Sequence, residues 1–269
     1  MNQLTGIGKL SRERLAEVLR ATKGTVSVSQ VAEILRITST DAAKILARWC
    51  EQGWLSRVQR GLYIPVPLEA SSADVPLEDP WLVAERLYTP CYIGGWSAAE
   101  YWNLTEQIFR TTVVMTLKTP RERNPVIKGA AYLICTINEK KRFGLKSVWR
   151  GRVKISVSDP TRTMLDLLAE PRLGGGIRSV QDMLCDYLNS EAKNLDLLIR
   201  YADQLGNGAV FKRLGFLLER NASEEQSAIE NCARRLTKGT ARIDPKLNAE
   251  RLVSRWRLWA PESFQREAA

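Results

Sequence analysis

The sequence predicts an α+β protein: an N-terminal winged helix-turn-helix followed by a mixed α/β domain with a small sheet and a helical C-terminal half. Three observations predict it. Apolar residues recur with helical period in three short segments before residue 53, and a basic, hairpin-like segment follows them. A proline-rich stretch separates this region from β-branched runs near 111–117 and 132–137, and long helix-period segments fill the chain beyond residue 159.

The first helix starts near Arg12 with Ser11 as N-cap, places Leu15, Val18 and Leu19 on one face, and ends at Gly24. Ser27 caps a second helix whose Val28, Val31, Ala32, Ile34 and Leu35 face inward, stopping near Ile37. A third, capped by Ser39 or Thr40, aligns Ala42, Ile45, Leu46, Trp49 and Cys50 in one apolar stripe before Gly53. Next, the segment WLSRVQRGLYIP surrounds a polar tip with strand residues, which predicts a two-stranded wing.

Prolines 65, 67, 76 and 80 with the run Ala70-Ser71-Ser72-Ala73 mark a linker, so the expected domains are 1–66, a linker at 67–80, and 81–269. In the second domain a helix fits Trp81–Leu87, and Ser97 caps a short helix through Trp102. Strands fit 111–117, 132–137 and 153–157. Asp159-Pro160 opens a helix through Leu168, and further helices fit 177–188, 195–204, 209–219 and 225–235.

Composition narrows the chemistry. With 269 residues, 44% of them hydrophobic and 26% charged, the chain has the makings of one large domain or two ordinary ones. It holds no apolar run of membrane-spanning length and no secretory h-region, so a cytoplasmic location with no membrane partner is expected. The five cysteines, at 50, 91, 135, 185 and 232, form no CxxC pair and suit neither a disulfide framework nor a zinc site. Histidine is absent, which removes the commonest general base and most metal constellations. An enzyme here would have to work with carboxylates, Lys or Tyr alone.

The net charge of +10 makes an anionic partner plausible, and its distribution is uneven. Residues 1–70 carry ten basic against six acidic side chains, and residues 121–155 carry ten against two. In the third helix Thr40, Lys44 and Arg48 lie four apart on one face, with Ser39 at its start, where they can reach base edges and phosphates of double-stranded DNA together. Arg57, Gln59 and Arg60 on the wing can straddle a neighbouring phosphate row. A possible second basic surface comprises Arg121, Arg123, Lys128, Lys140, Lys141, Arg142, Lys146, Arg150 and Arg152. It would meet DNA or an acidic protein, or would only keep edge strands from pairing with other chains.

Other signals read as structural. Gly174-Gly175-Gly176 lacks the Lys-Ser/Thr of a phosphate loop and is expected to be a flexible turn. Glu139-Lys140-Lys141 has a nuclease-like spacing without the upstream Asp of a metal site, which favours a solvated tip. Asp166 stands four residues after Arg162 and suits an internal ion pair.

In order, the segments RVQRGLYIP, CYIGGWSAAEYWNLTEQIF, SDPTRTMLDLLAEPRLGGGI, VFKRLGFLLE and RWRLW resemble the AbiEi family, the antitoxin and transcriptional repressor half of type IV toxin-antitoxin systems. The resemblance implies a bacterial autorepressor whose N-terminal domain binds operator DNA; inverted repeats in that DNA would indicate two copies bound cooperatively. It also implies a second domain that counters a nucleotidyltransferase-like toxin, and a non-enzyme, for which no catalytic residues, no metal and no cofactor are expected. DNA contact would fall on Thr40, Lys44, Arg48, Arg57, Gln59 and Arg60, while Trp96, Ser97, Arg162, Asp166, Arg213 and Glu219 belong to the family motifs of the second domain. The Gly94-Gly95-Trp96 turn departs from the more polar turn of many relatives and admits a stand-alone regulator whose second domain senses a small molecule.

Overall fold

The computed structural model describes residues 6–22, 24–67, 70, 72, 77 and 79–265. It shows a mixed α+β molecule with three small sheets. The N-terminal unit runs α1 (Lys9–Ala21), β1 (Val26–Ser27), α2 (Val28–Leu35), α3 (Ser39–Glu51), β2 (Leu55–Gln59) and β3 (Leu62–Pro65). The expected two-stranded hairpin gains a third member, because β1 pairs with β3 to give the order β1-β3-β2.

The helix starts shift slightly from their expected caps. Gly8, not Ser11, precedes α1, and Ser11 lies inside the helix, where its hydroxyl accepts a 2.8 Å hydrogen bond from Trp49 Nε1 and ties α1 to α3. Ser27 does cap α2, in a capping box with Gln30. Thr38 caps α3 one residue early: its Oγ1 accepts from Asp41 N at 3.1 Å and donates to Asp41 Oδ2 at 2.8 Å. Ala42, Leu46 and Trp49 from the predicted stripe are buried against Leu15, Val18, Val31 and Leu55. Each large side chain here contributes roughly 1.5–3 kcal/mol by leaving water.

Most of the expected linker lies outside the described residues. Beyond it come α4 (Pro80–Tyr88), β4 (Cys91–Ile93), α5 (Gly95–Tyr101), β5 (Thr111–Thr116), β6 (Val126–Ile127), β7 (Ala130–Thr136), β8 (Leu145–Arg150) and β9 (Val153–Ser158). These strands form one mixed sheet in the order β6-β7-β5-β4-β9-β8. β5 pairs parallel with β7, and β4 parallel with β9, while the other pairings are antiparallel. Ile93, Val114, Tyr132 and Ile155 pack on one face with Trp81 and Ala84 of α4, whereas Tyr92, Val113 and Met115 face the helical half. With both faces covered, β5 reads as a β-branched run interrupted at Met115.

The helical half comprises α6 (Pro160–Ala169), α7 (Ile177–Asn189), α8 (Leu195–Leu205), α9 (Gly208–Asn221) and α10 (Gln226–Arg234), close to the expected spans. Asp159 caps α6 through Arg162 N at 2.7 Å. The tail is less helical than expected: β10 (Ala241–Arg242), β11 (Arg251–Val253) and β12 (Leu258–Ala260) close a third sheet. The triple glycine is not a loose turn either. Gly174 is buried, and Ile177 N at the start of α7 donates to the buried Asp244 carboxylate at 3.0 Å.

Ser97 sits inside α5 instead of capping it, accepting a 2.9 Å bond from Val113 N. At Gly95, φ is +55° and a Cβ would come within 2.8 Å of Leu173 O, so the GGW turn is dictated by close packing. All five cysteines are free thiols, with Cys91 and Cys232 fully buried. Among the described residues no helix is long and apolar enough to cross a membrane.

Candidate nucleic-acid interface

The burial of α3 on one side leaves its other side to solvent. Ser39, Thr40, Asp41, Lys44, Ala47, Arg48 and Glu51 are all exposed. Lys44 and Arg48 are successive on that face, one turn apart, and Thr40 lies one turn before Lys44. Asp41 tempers the charge, with its carboxylate 3.8 Å from Lys44 Nζ. Because both groups are exposed, this pair is weak and leaves the ammonium free to reach a phosphate.

The hairpin packs directly against α3 through β2. Arg57, Gln59 and Arg60 are exposed on it. Arg57 pairs with Tyr63 and Gln59 with Leu62, so the register slips by one between them; this bulge leaves Val58 as the extra residue and bends the strand toward its tip. The hairpin turn also touches the start of α2, where Val28 N donates to Gly61 O at 3.3 Å. Helix and hairpin thus offer seven exposed hydrogen-bond donors, Ser39, Thr40, Lys44, Arg48, Arg57, Gln59 and Arg60, from two adjoining elements of one small unit.

One cation near this unit escaped the sequence reading. Arg86 on α4 reaches back to the N-terminal unit, and its Nη2 donates to Ser27 Oγ at 2.8 Å. A contact between residues 59 positions apart leaves no local pattern to read.

The basic block at 121–155 does not form a single face. Arg121, Arg123 and Lys128 flank the short edge strand β6, whereas Lys146 and Arg150 lie on β8, at the opposite edge of the sheet. Five strand spacings separate the edges, roughly 24 Å. Lys140 and Lys141 are exposed in a 3-10 turn between β7 and β8, as expected of a solvated tip, and Arg142 is half-buried beside it. Lys146 Nζ stands 5.2 Å from the Trp102 ring centroid, and the Arg150 guanidinium lies 4.3 Å over Trp81. Arg152 turns toward α1, donating to Arg20 O at 3.4 Å.

The motif residues of the second unit are inside it. Arg162 and Asp166 are 1% and 4% exposed, with Arg162 Nη2 at 2.9 Å from Asp166 Oδ1. Tyr92 closes the triangle, donating to Asp166 Oδ2 at 3.0 Å while accepting from Arg162 Nη2 at 3.0 Å. Burial pushes the Asp166 carboxyl above its ordinary range, and Arg162 and Tyr92 pull it part of the way back. Trp96 donates to Thr111 O and stacks on Phe109 at 5.0 Å. Arg213 is 4% exposed and donates to the carbonyls of Leu168, Ala169, Arg242 and Ile243. Glu219 accepts from Trp256 Nε1 and pairs with Arg255. These residues hold the second unit together, and among the described residues no cluster of three or more metal-ligating side chains stands near them or elsewhere.

Residues 13–66 match the family model described as transcriptional regulator, AbiEi antitoxin. The matched span runs from the second turn of α1 to just past β3, and so covers every proposed contact of α3 and the hairpin. The likeness read from the chain's motifs to the AbiEi family is thus shown over the N-terminal unit. No curated protein matches the chain.

Proposed function

We propose that the N-terminal unit is a winged helix-turn-helix that binds operator DNA, with α3 in the major groove and the β2–β3 hairpin as its wing. The observation that carries this reading is the division of α3. Leu46 and Trp49 anchor it in the core, while Thr40, Lys44 and Arg48 stand exposed on the other side, next to Arg57, Gln59 and Arg60. Bidentate contacts from Arg48 suit guanine edges, and the hairpin arginines suit phosphates.

In this reading the chain represses its own operon and serves as the antitoxin to a nucleotidyltransferase-like toxin. The family match supports the regulator and antitoxin roles. The burial and hydrogen bonding of Arg162, Asp166 and Arg213, with the half-buried Glu219 held by Trp256, support a second unit that acts by binding without making or breaking bonds.

The test is a gel-shift titration of the full chain against the DNA upstream of its own gene, repeated over a range of salt. Sequence-preferring binding with a steep negative salt slope is expected. Equal affinity for upstream and unrelated DNA overturns operator recognition. Co-expression with the product of an adjacent nucleotidyltransferase-like gene tests the antitoxin role, and growth arrest despite co-expression overturns it.

A further inference from the structure

The two units meet along a seam that contains two adjoining cavities. The larger, about 560 Å³, is walled by Leu19 and Arg20 of α1, Leu82 of α4, Asp79, and Arg150 and Arg152 at the β8–β9 hairpin. The smaller, about 290 Å³, is mainly apolar, with Ile64 and Val66 from one unit facing Leu77 and Val83 from the other. Gly24, Asp79 and Leu82 line both, so the cavities share a partition.

The charges at the seam are unbalanced. Among the described residues, three arginines line the larger cavity against one carboxylate. Asp79 is already committed, since its Oδ1 accepts from Trp81 N at 3.0 Å as the cap of α4. Its Oδ2 stands 3.8 Å from Arg150 Nε, beyond hydrogen-bond reach, and that nitrogen is buried without a hydrogen-bond partner. Stacking on Trp81 holds the Arg150 guanidinium in place. Neither Arg20 nor Arg152 has a carboxylate within ion-pair distance among the described residues.

The geometry points to a binding site for a small amphipathic oxyanion in the larger cavity, its phosphate or carboxylate head held by Arg20, Arg150 and Arg152 and its apolar body lodged against Leu19, Leu82 and Val153. Planar, multidentate guanidinium groups match either head group. Both units wall the site, so a ligand there bears on how they are held together. Among the described residues, the direct ties across the seam include Arg86 to Ser27 Oγ, Arg152 to Arg20 O, and Leu82 packed against Gly24. An occupant that prefers one arrangement of the seam changes the affinity of the N-terminal unit for DNA by the same factor by which DNA changes its own. This last step rests on the DNA-binding reading above; the site itself does not.

Titration of the full chain with phenyl phosphate, benzoate, inorganic phosphate and phenol, followed by calorimetry and thermal melting, tests the proposal. Phenyl phosphate or benzoate should bind at least about tenfold more tightly than inorganic phosphate or phenol, and whichever binds identifies the head group. Arg20→Ala, which keeps the backbone carbonyl that Arg152 uses, should weaken that binding about tenfold or more with an unchanged ligand-free melting temperature. No melting shift with either amphipathic probe, or a shift that survives in both Arg20→Ala and Arg152→Ala, overturns the site. A saturating probe should change operator affinity by about fivefold or more. Unchanged affinity overturns the coupling, whereas probe binding by a chain that binds no DNA leaves the site standing and removes the operator reading.

Discussion

The Trp256 indole occupies the space that a side chain at residue 215 would fill. A Cβ built on Gly215 would lie 2.0 Å from Trp256 Cζ3 and 2.3 Å from Cη2, and one turn later Glu219 Oε2 accepts from the same indole's Nε1 at 2.5 Å. The motifs VFKRLGFLLE and RWRLW are therefore two halves of one joint, through which the C-terminal sheet is fastened to α9.

Gly215→Ala should destabilise the protein by at least ~3 kcal/mol, the upper end for overpacking a core, because the obstructing atoms belong to the rigid, buried ring of Trp256. Urea denaturation measures it. In the background of Trp256→Ala the same substitution should cost far less, since the obstructing ring is gone. Equal costs in the two backgrounds would place the strain elsewhere.

Arg213 gathers carbonyls from the end of α6 and from Arg242 and Ile243 at the end of β10, with donor distances of 2.8–3.2 Å. A lysine there keeps the charge but cannot span four acceptors arranged around a planar fork. Arg213→Lys should lower stability by ~2 kcal/mol or more, reflecting buried carbonyls left without donors. Thermal melting with an Arg234→Lys control, an exposed site on α10, separates this from a general effect of the substitution.

Burial holds the phenol of Tyr92 well above its ordinary value, with the nearby Asp166 charge adding to the effect, and burial likewise raises Tyr132. In the unfolded chain both ionise near pH 10. The native state then keeps protons that the unfolded state has lost. Their contribution to stability is complete below about pH 10 and is lost as pH climbs toward the native values, at up to ~1.4 kcal/mol per pH unit for each tyrosine. Denaturation free energies between about pH 9 and 11 should fall accordingly, and Tyr132→Phe should make the decline shallower. A decline as steep as in the parent protein would remove Tyr132 as a cause.

Removal of one phosphate-contacting cation lowers the magnitude of the slope of log affinity against log salt by about 0.9. Arg57→Ala and Arg60→Ala should each show this loss on operator DNA, roughly evenly across sequences. Arg48→Ala should cost ~1–3 kcal/mol and relax the base preference at one position. Arg234→Ala, whose guanidinium pairs with Glu230 on α10, should leave the slope as it was. Unchanged slopes for both hairpin variants would exclude the hairpin from the interface.

Local signals made much of the molecule legible. The capping residues Ser27 and Asp159, the period of α3, and the apolar faces of α6 to α10 each lie within a few adjacent residues, where the chain's own geometry determines the outcome. The exposed face of α3 was legible for the same reason: once Leu46 and Trp49 point inward, helical spacing sends Lys44 and Arg48 outward. The Arg162–Asp166 pair also follows from its four-residue spacing, but its complete burial beneath Tyr92 does not.

By itself, then, the sequence determined the mixed fold class, the helices, the cationic helix and hairpin of the N-terminal unit, and a chemistry without histidine. Tertiary structure alone decided three things: that the basic block divides between opposite sheet edges, that Trp256 needs a glycine opposite it, and that Arg20 and Arg152 meet at a seam. The physical reason is range. Helical period and caps are set by neighbours a turn apart, whereas strands of two or three residues, sheet order and the pairing of distant side chains depend on contacts whose partners lie tens to more than a hundred residues away.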